Sequence, residues 1–271
     1  MFPDDTACAA FLARLRWPEG FICPACKIAS TPWNESRGRL ACPICRHQTS
    51  VSAGTIFDKK RTSLMTWFET AWHVTTAKNG MSAKTLKPTL GTSYRVDWTI
   101  LQRFRVAMVN VEHKQLSGDV EVDETLIGGV QQGGKRGRDT TKSVVAIAVE
   151  IKQPQGFGRV RMRHVPDASG DSLLPFVRDV VAPGAMVFTD GWGGYNRLPE
   201  NGSTRRVTVL SSSGDPAHVL MPGVHRVASL LKRWILGTHQ GAVVPDHLTM
   251  VLFFDGLLYR QLSLNRLLRT M

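Results

Sequence analysis

Two sets of residues in this chain could do chemistry. The first is Cys23-Pro-Ala-Cys26 followed, after 15 intervening residues, by Cys42-Pro-Ile-Cys45. Each pair can turn two thiolates onto one ion through a tight knuckle. Two knuckles complete a tetrahedral sulfur site, which suits zinc better than a hard cation. The second set is a pair of carboxylates. Asp123 stands in the alternating run Asp119-Val-Glu-Val-Asp-Glu-Thr-Leu-Ile127, and Asp190 follows the short apolar run Met186-Val-Phe-Thr189. Two acids held side by side repel until one or two Mg2+ ions neutralise them. Such ions can activate a water or a 3′-hydroxyl and stabilise charge developing on a phosphate. On the residues alone, both acids can equally be solvated strand-edge side chains.

The elements around the acids decide whether they meet. Alternation over 119–127 predicts a strand with Val120 and Val122 on one face and Asp119, Glu121 and Asp123 on the other. Val144–Val149 is continuously apolar and predicts an interior strand. Arg159, Arg161 and Arg163 alternate with Val160 and Met162, as in a strand with one solvated face. Leu173, Phe176, Val177, Val180 and Val181 follow helical spacing, with Asp171 as a possible cap and Pro175 tolerable in an opening turn. Strands are expected over 186–189 and 206–210, and a last helix over 224–236 with Val224, Val227, Ala228, Leu231 and Ile235 inward. On that helix His225, Ser229 and Lys232 gather on another face. Three strands, helix, strand, short helix, strand, helix is an order that can bring Asp123 beside Asp190. The loop holding Lys135, Arg136 and Arg138 among glycines suits phosphate contact, and reads almost as well as an ordinary exposed turn.

The N-terminal part carries other signals. Arg37, Arg39, Arg46 and His47 surround the second knuckle and Trp33 lies between the two, which fits contact with nucleic acid or with protein. Cys8 stands apart and reads as a small buried hydrophobe. Thr62 or Ser63 can cap a helix bearing Leu64, Trp67, Phe68 and Ala71, and a second helix is expected from Ser82 to Leu90, ended by Gly91. A third would carry Trp98, Leu101, Phe104, Arg105 and Met108. Three short helices with a glycine turn resemble a helix-turn-helix, and equally a packing module in which Trp67, Trp72 and Trp98 are core. These signals divide the 271 residues into 1–57, 58–117 and 118–271.

The net charge is +12, distributed as +8 over residues 1–118, zero over 119–222 and +4 over 223–271. Basic flanks around a neutral, acid-bearing centre favour a polyanionic partner. No apolar run approaches the roughly 18–20 residues of a membrane span. The first residues lack the basic lead of a secretory signal. Both features point to a cytoplasmic, nucleoid-associated protein whose cysteines bind metal rather than form disulfides.

In order and combination these motifs resemble bacterial insertion-sequence transposases of the zinc-ribbon, RNase-H-like class, the ISXO-type group. The marks are the four cysteines, Val120-Glu-Val-Asp123-Glu-Thr-Leu-Ile-Gly-Gly129, Gly133-Gly-Lys-Arg-Gly137, Thr189-Asp190-Gly191-Trp192-x-Gly-Tyr195 and Ser229-Leu-Leu-Lys232-Arg-Trp234-x-x-Gly237-Thr-His239. The resemblance implies an α/β fold: an RNase-H-like mixed sheet with helices, preceded by a small four-cysteine zinc ribbon and a three-helix unit. It implies cleavage and strand transfer of double-stranded DNA at element ends, with structural Zn2+ and catalytic Mg2+ or Mn2+, by a homodimer or larger assembly. Asp123 and Asp190 match the first two metal-binding acids. The third position, usually Glu or Asn, falls on His225, and Lys232, followed by Arg233, matches a basic residue that contacts DNA. An imidazole holds Mg2+ less strongly than a carboxylate, and residues 247–271 are more apolar than the family pattern. A zinc-containing DNA-binding regulator and a catalytically inactive remnant are therefore the alternative readings.

Overall fold

The computed structural model describes residues 2–77, 79–108, 114–128, 142–152, 154, 156–198, 204–208 and 217–241. The described residues form two compact units, 2–77 with 81–108, and 79–80 with 114–241. In the first, α1 (Asp5–Arg16) begins at Asp4, whose carboxylate accepts the Ala7 N–H at 2.7 Å. Strands β1 (Trp33–Glu35), β2 (Arg39–Ala41) and β3 (Gln48–Ser50) make a small antiparallel sheet in that order. Arg16 closes α1 onto the end of β3 by donating to the carbonyls of Ser50, Val51 and Ala53. The local core is only Phe21, Cys23 and Cys42, with Trp17, Cys26 and Leu40 against it.

Helices α2 (Leu64–Thr76), α3 (Ala83–Leu90) and α4 (Tyr94–Met108) follow. The Ser63 hydroxyl caps α2 and that of Ser82 caps α3, as their positions before the apolar runs predict. Asp5 adds a second cap to α2, accepting the N–H groups of Leu64 and Met65 at 3.0 and 2.9 Å. Gly91 ends α3 in the left-handed region at φ +64°, where a side chain would strain the turn. Pro88 does not stop α3, because it lies on the exposed side. The inner stripe of α4 holds Leu101 and Phe104 as expected, together with Asp97 and Ile100, whereas Trp98 is 49% exposed. Asp97 takes the core position because the Thr92 hydroxyl donates to its carboxylate. Trp72 is likewise exposed, so of the three tryptophans only Trp67 is core, edge-on to Phe57 and Phe104.

The second unit is built on β4 (Asp119–Ile127), β5 (Ser143–Ile151), β6 (Phe157–Val165), α5 (Gly170–Val180), β7 (Met186–Thr189), β8 (Thr204–Val207), α6 (Ala217–Leu220) and α7 (Pro222–His239). The sheet runs β6-β5-β4-β7-β8, with β5 antiparallel to both neighbours and β7 parallel to β4 and β8. That is the RNase-H-like arrangement. On one face Val120, Val122, Ala146, Ala148 and Val187 pack with Leu173, Phe176 and Val177 of α5, and α7 covers β4 and β5 from the other.

Several expectations shift. β8 starts and ends earlier than 206–210, of which residues 209 and 210 lie outside the described residues. α5 starts after Ser169, so Asp171 is in the first turn rather than at the cap, and Pro175 falls in the second turn. It is tolerated because it faces solvent, where the carbonyl it leaves without a helical donor can be hydrated, while its neighbours Leu174 and Phe176 are buried. Arg161 is buried, not solvated, since its guanidinium donates to the carbonyls of Val160 and Lys114. Among the described residues, no helix is long and apolar enough to cross a membrane.

The pairing of β5 with β6 shifts between Val149 and Ile151. The carboxylate of Glu150, at that irregularity, accepts from the Arg159 guanidinium at 2.7 Å and from the backbone N–H groups of Arg159 and Ser117. The Arg159 guanidinium holds the Glu150 carboxyl at about 2, below its ordinary 4.5. A depressed acid contributes stability above its unfolded pKa and loses it as pH falls through the folded one. Glu150→Gln is therefore expected to flatten the acid side of the urea-midpoint profile between about pH 4.5 and about pH 2, read by tryptophan fluorescence. An unchanged slope would assign the acid sensitivity to other groups.

Candidate active site and zinc centre

The four cysteines converge. Their sulfurs lie within 4.8 Å of one another, with Cys23 to Cys45 at 3.6 Å and Cys26 to Cys42 at 3.8 Å. Zinc–sulfur bonds of about 2.3 Å in a regular tetrahedron give sulfur–sulfur edges of about 3.8 Å, so the set fits structural zinc. The two knuckles are built alike. Lys27 N–H donates to the Cys23 carbonyl and Arg46 N–H to that of Cys42, each at 2.9 Å, and Lys27 and Arg46 both turn through the left-handed region. Backbone N–H groups of Cys45 and Ile44 draw the Cys42 thiol down to about 6, against the cost of burial. The Ile28 N–H favours a Cys26 thiolate too, but burial and the three neighbouring sulfurs push that thiol up to about 11. Four thiolates this close need a cation to ionise together.

The acids lie in the second unit. Alternation along β4 turns Val120 and Val122 to the α5 core and sets Glu121, Asp123 and Thr125 on the α7 side. β4 and β7 pair in parallel with Val120 opposite Val187 and Glu121 opposite Phe188. That pairing ends at Glu121 and Phe188, and Asp123 and Asp190 each follow two positions later, Asp190 just beyond the end of β7. Asp190 begins a tight turn, its carboxylate accepting the Trp192 N–H at 3.0 Å, while Asp123 accepts the N–H of Glu124 at 2.9 Å. Asp123, His225, Ser229 and Lys232 line one cavity of about 420 Å3 between β4, β5 and α7. Partial burial and then the nearby Lys142 ammonium lower the Lys232 pKa, and Asp123 opposes them. Asp190 is not part of that lining, and Asp123, Asp190 and His225 do not converge as the cysteines do. Arg233 is exposed on α7 beside Lys232, and Lys135, Arg136 and Arg138 lie outside the described residues.

Three residues outside the expected catalytic set hold this region together. Tyr195 is fully buried and its hydroxyl donates to Glu124 at 2.9 Å. Burial, then the carboxylates of Glu124, Asp123 and Asp190, push its phenol well above the ordinary range. Arg205 of β8 grips the turn after β7: it donates to the Thr189 hydroxyl at 3.0 Å, the Asn196 side chain at 2.7 Å, and the carbonyls of Asp190 and Trp192. Glu121, 6% exposed, accepts the Val224 N–H at the start of α7. Tyr195 belongs to the Asp-Gly-Trp motif, but a lone arginine on a four-residue strand and a glutamate in an alternating run carry no local signal.

Residues 115–259 match the family model described as an ISXO2-like transposase domain, and residues 3–48 match the one described as a transposase zinc-ribbon domain. The chain is also 26% identical, over 266 residues, to an uncharacterized protein in transposable element ISH50 of Halobacterium salinarum, covering 92% of this chain and 88% of that protein. Residues 49–114, which hold α2, α3 and α4, lie outside both family matches.

Two outcomes are expected. Purified protein carries one zinc per chain by elemental analysis, and Cys42→Ser or a strong chelator releases it and unfolds residues 21–50, read as lost hydrogen-exchange protection there with β4 and β5 still protected. Arg205→Ala lowers stability by about 1 kcal/mol in urea unfolding, because several acceptors, most of them partly buried, lose their donor together. It also raises exchange of the Trp192 amide.

Proposed function

The chain belongs to the ISXO2-like transposase family, and from that premise we propose that it cuts and joins insertion-sequence DNA ends by metal-dependent phosphodiester transesterification. The observation that supports this reading is the parallel pairing of β4 with β7, whose last paired residues, Glu121 and Phe188, stand two positions before Asp123 and Asp190. Asp123, in the middle of β4, and Asp190, just after β7, offer hard oxygen donors, the type that suits Mg2+ or Mn2+. Bound there, the ion supplies Lewis acidity toward a phosphate oxygen and lowers the pKa of a water or 3′-hydroxyl.

The remaining work falls to the chain's own side chains. Asp123 and Asp190 keep negative charge at one point of the sheet. Lys232, close enough to Asp123 to feel its charge, holds a phosphate of the DNA against that point, and Arg233 adds a backbone contact. His225 lines the same cavity and orients the attacking hydroxyl or completes the metal's ligands. Since an imidazole adds no negative charge, the site depends on the two aspartates more than a three-carboxylate site does. Recognition of the element ends falls to the first unit. There α3, the Gly91 turn and α4 have helix-turn-helix form, and α4 turns Tyr94, Arg95, Trp98 and Thr99 to solvent. Coupled cutting at two ends calls for at least two copies on the DNA.

The test is incubation with end DNA, target DNA and Mg2+ or Mn2+, followed by sequencing of joined products. Asp123→Asn and Asp190→Asn are each expected to reduce cleavage and joining at least about 100-fold while binding of end DNA persists. Cleavage that needs no divalent ion, or that survives both substitutions, overturns the mechanism. Loss of chemistry with intact end binding in the unaltered chain supports a DNA-binding regulator instead.

A further inference from the structure

The strand that carries Asp123 also carries a buried carboxyl group with no part in the reaction above. Glu121 is two positions earlier on the same face. Its Oε2 accepts the Val224 N–H at 3.0 Å, and the Gly223 N–H is a second donor to it. Burial pushes the Glu121 carboxyl up and these two donors oppose it. A side chain with two acceptor oxygens thus ends at the first turn of α7.

The sequence of that turn explains the arrangement. A helix begins with N–H groups that lack carbonyl partners, and an oxygen on the N-cap side chain ordinarily meets those of the second or third residue. Here the N-cap is Met221, which has no oxygen, and the first residue is Pro222, which has no N–H. The donors left over belong to Gly223 and Val224, both buried. Glu121 supplies from the sheet the acceptor that Met221 lacks. Gly223 lets the helix come close enough: a Cβ there would stand 2.8 Å from Glu121 Oε2, 3.0 Å from Ile151 Cδ1 and 3.2 Å from Val149 Cγ1.

We propose that Glu121 is a positioning residue, which caps α7 from β4 and so sets His225 and Lys232 at a fixed spacing from Asp123. This rests on the reading of Asp123 and Asp190 as a metal site. A cap within its own chain segment would stabilise α7 equally but leave it free to slide over the sheet. A cap from β4 ties the helix, one residue before His225, to the same strand that holds Asp123. Substrate-side groups on α7 and metal-side groups on β4 then move as one body.

The test maps distance as well as rate. Fe2+ with ascorbate and peroxide generates hydroxyl radicals at bound iron, and these cut the backbone next to it; the full chain is treated and its fragments are identified by mass spectrometry. The unaltered protein is expected to be cut near residues 123, 190 and 225. Glu121→Met keeps bulk and burial but removes both acceptors. It is expected to lose about 5-fold or more of the cut near 225 relative to that near 123. Its single-turnover DNA cleavage falls about 10- to 100-fold with end-DNA affinity unchanged. Glu121→Gln, which keeps one acceptor oxygen, restores most of both. Gly223→Ala presses on the same contact from the helix side and reproduces the pattern of Glu121→Met, whether or not the latter folds. A cut ratio and a cleavage rate unmoved by Glu121→Met and Gly223→Ala overturn the positioning role alone. Absence of cuts near 123 and 190 in the unaltered protein overturns the metal site, and the inference with it.

Discussion

The catalytic reading depends on one pairing, the parallel ladder between β4 and β7. β4 is the middle strand of the described sheet, and three antiparallel strands could have been extended by another hairpin. Instead the chain leaves the sheet at β6, runs through α5 and returns as β7 alongside β4 in the same direction. A parallel return pairs β7 with the first residues of β4 and ends it shortly before the level of Asp123, the middle residue of that strand. An antiparallel β7 would place Asp190 near the opposite edge. Register matters as much as direction, because a slip of one residue would turn one aspartate toward α5 and the other toward α7. Val120 and Val187, opposite each other in the same core, oppose that slip: moving either out of register would expose it to the wrong face.

The surroundings of the two acids fix the backbone that carries them. Arg205 is near enough to Asp190 to feel its charge, yet its described bonds go to the Thr189 hydroxyl, the Asn196 side chain and two carbonyls. It fixes the turn through the main chain while the Asp190 carboxylate bonds the Trp192 N–H. The Tyr195 hydroxyl donates a hydrogen bond to Glu124, on the other face of β4 from Asp123. A buried phenol among three carboxylates stays neutral, so it does not compete with a cation for their charge. The result is a turn after β7 and a β4 backbone held in place by side-chain hydrogen bonds.

How much of this was legible in the sequence follows from what each feature depends on. Ser63 and Ser82 as caps, Gly91 as a stop and the alternation of β4 are local, and each is found where spacing placed it. The cysteine spacing was similarly sufficient, since two knuckles define four ligands without reference to the rest of the fold. Buried polar residues were not legible. Asp97 displaces Trp98 from the core because Thr92 donates to it, and Arg161 is buried because Val160 and Lys114 offer carbonyls. Glu121 is 103 residues from Val224 and its role exists only after the sheet and α7 have met. Periodicity assigns a side chain to a face, but whether a polar one can stay buried there is decided by a partner distant in sequence.

The same dependence separates the two metal sites. Around the cysteines the apolar core is Phe21, Cys23 and Cys42 with three flanking residues, and two of those three core side chains are themselves ligands. Such a segment cannot outweigh its conformational entropy by burial alone, so zinc there is part of the fold. The second unit buries valines, alanines and leucines from four strands and a helix in one cluster that contains neither Asp123 nor Asp190. Its stability is independent of what the aspartates hold. A structural ion must be permanent, whereas a catalytic one gains from a site that already exists without it, because the ligands need not reorganise each time DNA and metal arrive or leave. Placing the aspartates outside the core cluster that fixes their strands meets that requirement.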